Sequence, residues 1–86
     1  MLRRHPQARK PFQRWENLTI ASRFENFAEV KAMFPSADMV GACVVFNLGG
    51  NKYRLIAKIN YEFEVVTIKH LLTHPEYDKD SWKSDC

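Results

Sequence analysis

From Lys52 to Asn60 apolar and polar positions separate with a period of two. Tyr53, Leu55, Ala57 and Ile59 fall on one side, and Lys52, Arg54, Ile56 and Lys58 on the other. The spacing predicts a strand with a core face and a cationic face. Upstream, Cys43 to Leu48 is rich in β-branched and aromatic residues and predicts a second strand, joined to the first by a tight turn at Gly49-Gly50-Asn51. Tyr61 to Glu64 makes a further reversal into a strand from Val65 to Leu72. Simple alternation puts Val66, Ile68, His70 and Leu72 on one of its faces, and Val65, Thr67, Lys69 and Leu71 on the other.

The N-terminal half has helical spacing. Phe12, Trp15, Leu18 and Ile20 predict a helix from Pro11 to about Ser22, with Pro11 in its first turn. Phe27, Val30, Met33 and Phe34 predict a second helix, ended by Pro35, after which Pro-Ser-Ala-Asp forms a loop. A last helix is expected from Pro75 to about Lys83, capped by Thr73. The fold class that follows is α+β: N-terminal helices, a three-stranded antiparallel meander and a short C-terminal helix.

Composition narrows this picture. A chain of 86 residues fits one domain, residues 1–86, and its 45% hydrophobic content argues against disorder. The net charge of +3 is unevenly spread. Arg3, Arg4, Arg9, Lys10 and Arg14 open the chain without an acid among them, and Glu76, Asp78, Asp80 and Asp85 gather at its end. A basic start and a basic strand suit nucleic acid or an acidic partner. Cys43 reads as a small buried hydrophobe and Cys86 as a fraying end, so no disulfide and a reducing compartment are expected. With no membrane-spanning run and no apolar leader read in the chain, a cytoplasmic protein is expected.

Outward polar residues on an antiparallel sheet need no function, because one face commonly meets water. Sign argues for more: from Leu48 to Tyr61 there are three cations and no acid. Lys69, if it lies beside them, makes a fourth. The segment Thr73 to Asp78 adds an imidazole, His74, and a phenol, Tyr77, three positions apart. RNA cleavage without a cofactor needs one group to take the 2′-hydroxyl proton, another to protonate the leaving 5′-oxygen, and cations for the charge on phosphorus. A structural hydrogen-bonding role for His74 is the plainer alternative. His70 and His74 are four apart but on a strand, where that spacing does not bring them together, so no metal site is expected.

Two motifs carry a family resemblance. Val45-Phe46-Asn47-Leu48-Gly49-Gly50-Asn51-Lys52-Tyr53-Arg54-Leu55, continued by Lys58-Ile59-Asn60-Tyr61, is followed by Thr73-His74-Pro75-Glu76-Tyr77-Asp78-Lys79. Together they resemble the HigB toxins of bacterial toxin–antitoxin systems, in the RelE-like superfamily, from about Pro6 to Trp82. The resemblance implies a ribosome-dependent endonuclease that cuts mRNA by metal-free attack of a 2′-hydroxyl on its own phosphate. It also implies a cognate helix-turn-helix antitoxin that holds the toxin inactive.

By motif, Arg54 would stabilise the phosphate, with His74, Tyr77 and Lys69 as further catalytic groups. Asn51, Lys52 and Lys58 would bind RNA phosphates, and the general base stays open. Relatives usually begin with a short strand and a fuller first helix before the position of His5-Pro6, so a fold lacking that first strand is expected. Many relatives carry Arg at Lys69, and Lys lacks its planar fork. The competing readings are a truncated module that binds antitoxin or RNA without cutting, and a generic RNA-binding domain, whose binding would depend steeply on salt.

Overall fold

The computed structural model describes residues 5–50 and 52–86. A 3₁₀ turn, Pro6–Ala8, leads into α1 (Arg9–Ile20), followed by α2 (Phe27–Met33). Pro11 sits in the first turn of α1, where its missing N–H would have had no intrahelical acceptor. Asn26 caps α2: its side-chain oxygen accepts from the Glu29 amide at 3.1 Å. The helix stops at Met33, two residues before Pro35.

Four strands follow: β1 (Asp38–Val40), β2 (Cys43–Leu48), β3 (Tyr53–Asn60) and β4 (Val65–Thr73). They pair antiparallel in chain order, β1-β2-β3-β4. The expected meander of β2, β3 and β4 is present, but β1 makes the sheet four-stranded. At three residues β1 is too short to show alternation, and its first residue, Asp38, falls in the stretch expected as loop. It exists because Gly41 turns the chain, letting Val40 pair with Cys43 and Asp38 with Val45.

Gly41 has φ +57°, and a Cβ there would stand 2.7 Å from the Cys86 carbonyl oxygen, which accepts from the Ala42 amide. Gly50 has φ +69° with no described atom in the way. Gly50→Ala should therefore cost about 1 kcal/mol, the left-handed penalty alone. Gly41→Ala should cost clearly more, because the C-terminus must also move. Urea midpoints of the two variants check the difference.

The sheet separates two apolar clusters. On the helix side, Trp15, Phe24, Val30, Phe46, Leu48, Tyr53, Leu55 and Leu71 are buried together, so the core face read for β3 is correct. On the other side, Cys43, Val45 and Ile56 are covered by Trp82. The cationic face of β3 is thus not a solvated surface along its whole length: Ile56 is fully buried in its middle.

Strand β4 departs from simple alternation. Ile56 pairs with His70 but Ala57 pairs with Ile68, leaving Lys69 as the extra residue of a bulge. The bulge resets parity. Val66 and Ile68 follow the core-side row of Ile59 and Ala57, while His70 and Leu72 pair with Ile56 and Arg54 on the opposite face. The face expected to hold Val66, Ile68, His70 and Leu72 together is therefore split in two.

The C-terminal region is also shorter in helix than expected. Helix α3 runs only from His74 to Asp78, and Asp80, at φ +61°, breaks the chain direction before a 3₁₀ turn, Ser81–Asp85. The cysteine reading is overturned: Cys43 and Cys86 are joined by a disulfide that closes 43 residues of chain. Neither residue alone shows this in sequence, because the four-stranded meander is what returns the C-terminus to the start of β2. Among the described residues no helix is long and apolar enough to cross a membrane.

Candidate functional site

The site forms where the end of β4 turns into α3 beside Arg54. Thr73 makes a capping box: its Oγ1 accepts from the Glu76 amide at 3.4 Å, and Glu76 Oε1 accepts from the Thr73 amide at 2.9 Å. Pro75 lies in the first turn, as expected. The cap fixes the direction in which α3 leaves the sheet, and so carries Tyr77 back over β3. The Arg54 guanidinium carbon lies 5.4 Å from the centre of the Tyr77 ring, within the range of a cation–π contact. Arg54 is half-buried, and its Nη1 donates to the Tyr53 carbonyl at 3.3 Å.

Around this pair lie three imidazoles. His74 is exposed, with Nδ1 3.1 Å from Asp78 one turn further along α3. His70, on the Arg54 face of β4, has Nε2 2.5 Å from Asp85. His5 Nε2 comes within 3.1 Å of Glu76 Oε1, close enough for an ion pair when protonated, though outside hydrogen-bonding geometry. Sequence pattern does not show the His70–Asp85 and His5–Glu76 contacts, because each joins residues far apart in sequence that only the folded chain brings together. Among the described residues no group of three His, Cys, Asp or Glu side chains is placed to hold a metal ion.

The other expected residues spread out from this centre. Lys52 is exposed in the β2–β3 turn, and Lys69 is exposed on the bulge. Lys58 pairs with Thr67 four residues from Arg54, roughly 13 Å along the strand. Asn51 lies outside the described residues. Arg54 and Tyr77 are in direct contact, with His74 on the same short helix, while Lys52, Lys58 and Lys69 lie on the turn, the far part of β3 and the bulge.

Two open clefts lie elsewhere on the molecule, and neither contains Arg54 or Tyr77. One, of about 510 Å³, is lined by Lys10, Arg14 and Trp15 beside the Gly49-Gly50 turn; the other, of about 560 Å³, is lined by Lys58 and Thr67. Tyr61, at the far end of β3, is set apart from this chemistry, and desolvation raises its phenol pKa above the ordinary 10.0.

Comparison with known proteins adds to this geometry. Residues 8–80 match the HigB toxin family, described as the RelE-like toxic component of a toxin–antitoxin system. The chain is 32% identical over 78 residues to the mRNA interferase toxin HigB of Escherichia coli strain K12, an alignment that covers 87% of this chain and 75% of that protein. The mRNA interferase HigB of Shigella flexneri matches to the same extent. The mRNA interferase HigB of Escherichia coli O6:H1 is 36% identical over 59 residues, covering 65% of this chain and 57% of that protein. The chain belongs to the HigB family of RelE-like toxins.

Proposed function

We propose that this chain is an mRNA endonuclease that acts on translating ribosomes in the cytoplasm, uses no metal ion, and is neutralised by a helix-turn-helix antitoxin. The observation that carries the reading is the Arg54–Tyr77 contact at the mouth of a capped helix that also bears His74. Family membership and the names of the relatives support the substrate class. In this reading Arg54 holds a non-bridging phosphate oxygen and takes up charge as the phosphorus becomes five-coordinate. A proton leaves the 2′-hydroxyl as that oxygen attacks, the P–O5′ bond breaks, and a proton is delivered to the departing 5′-oxygen. The products are a 2′,3′-cyclic phosphate and a 5′-hydroxyl. His74 and Tyr77 carry the two proton transfers between them. Lys52, Lys58 and Lys69 hold flanking phosphates.

Expression without an antitoxin should arrest bacterial growth and shorten cellular messages, and His74→Ala should lower cleavage about 100-fold. Protein stripped with EDTA and freed of it by dialysis, then added to translating ribosomes in magnesium buffer, should cleave as fast as untreated protein. Loss of cleavage after stripping that an added transition-metal ion restores would remove the metal-free mechanism. Tight RNA or antitoxin binding with intact messages would favour the non-cutting module instead.

A further inference from the structure

Helix α3 has five residues and none of them is buried, so it cannot hold Tyr77 in place by itself. What holds it is the turn that follows. Trp82, only 2% exposed, is wedged against Cys43, Val45 and Ile56 on the site face of the sheet. Its ring stacks on Tyr77 with centres 5.0 Å apart and planes 17° from parallel. Its Nε1 donates to the Tyr77 carbonyl at 2.9 Å. Tyr77 is thus held between the Trp82 ring on one hand and the Arg54 guanidinium on the other.

Three further ties fasten the turn to the sheet. They are the Cys43–Cys86 disulfide, the Ala42 amide donating to the Cys86 carbonyl at 3.0 Å, and the His70–Asp85 pair. The disulfide is the only covalent one of the three. It anchors the turn at the first residue of β2, beside Ile56 and Trp82.

We infer that Trp82 is a positioning residue for the Tyr77–Arg54 pair and that the Cys43–Cys86 disulfide locks it, making the site redox-sensitive. The inference rests on the RNA-cutting role proposed above for that pair. A dithiol reductant breaks the S–S bond; two electrons and two protons pass to the two sulfurs, and the dithiol closes to its own disulfide. The two remaining ties are non-covalent, and the turn is then free to open and take Trp82 from beneath Tyr77. Where thiols are held reduced the lock is conditional, forming when a small-molecule disulfide such as oxidised glutathione takes two electrons and two protons from the two thiols and leaves as two thiols.

The test uses the full chain, oxidised and then treated with dithiothreitol, alongside Cys86→Ser, Trp82→Leu and Trp82→Phe. The first readout is the NMR resonance of the Arg54 side-chain N–H, which the facing Tyr77 ring displaces by its ring current. It should shift towards the value of an unstacked arginine on reduction, in Cys86→Ser and in Trp82→Leu, and stay nearly in place in Trp82→Phe, which keeps a stacking ring. The second readout is message cleavage. Reduction should lower kcat about tenfold or more, since small misplacements of a catalytic group are that costly, with KM changed less than about twofold. In a Tyr77→Ala background, Trp82→Leu should add little further loss. An Arg54 resonance and a kcat that are both indifferent to reduction overturn the inference while leaving the RNase reading intact. If no form cleaves RNA, the RNase reading fails, and the Arg54 resonance alone then decides whether Trp82 and the disulfide position Tyr77.

Discussion

Arg54→Ala should reduce message cleavage by about 10²–10³-fold and abolish growth arrest, while leaving the protein folded. That magnitude is the usual loss when a preorganised donor to a developing anion is removed. Arg54 is half-buried at the edge of the second apolar cluster, so its removal leaves the Trp82–Ile56 packing in place. Arg54→Lys should recover only part of the activity. A lysine keeps the charge but loses the planar fork that can hold two phosphate oxygens and lie across the Tyr77 ring. Single-turnover cleavage on translating ribosomes measures both variants, with circular dichroism as the check on folding. An Arg54→Ala protein that cuts as fast as the wild type would remove the site assignment.

Phe46→Ala should be the most destabilising single substitution in the core, at about 3–5 kcal/mol. Phe46 is 2% exposed and lies edge-on between two rings, Trp15 at 5.3 Å and Phe34 at 5.1 Å. Its ring joins α1, the end of α2 and the middle of β2, so a cavity there loosens three elements at once. Against a total stability of roughly 5–15 kcal/mol for a domain of this kind, the variant should be largely unfolded at growth temperature. Phe63→Ala is the control: that ring is 70% exposed in the β3–β4 turn and should change stability by no more than about 0.5 kcal/mol. Urea titrations of the two variants measure the contrast.

Local chemistry made much of the fold legible. β-branched and aromatic runs bounded by Gly49-Gly50 and by Tyr61–Glu64 marked β2, β3 and β4 nearly to the residue. Thr73 announced the cap of α3, and the apolar row Tyr53, Leu55, Ala57 faces the helices as alternation requires. What stayed hidden depends on contacts distant in sequence. Alternation tells which residues share a face but not what covers that face, so Ile56 read as part of an open cationic surface although Trp82 buries it. A one-residue bulge at Lys69 leaves no composition signal, yet it moves His70 onto the face of Arg54. The Arg54–Tyr77 contact was legible only as two motifs; their meeting at 5.4 Å depends on the cap and on the C-terminal turn.

The strand order has one further consequence, for the sequence of events in folding. Every strand pairs with its neighbour along the chain, so the sheet can zip hairpin by hairpin as each segment leaves the ribosome. The tie between residues 43 and 86 is of another kind, spanning 43 positions and forming only when the last turn has returned to the first hairpin. Tyr77 and its Trp82 support belong to that final closure. A growing chain therefore carries an almost complete scaffold well before it carries a finished site.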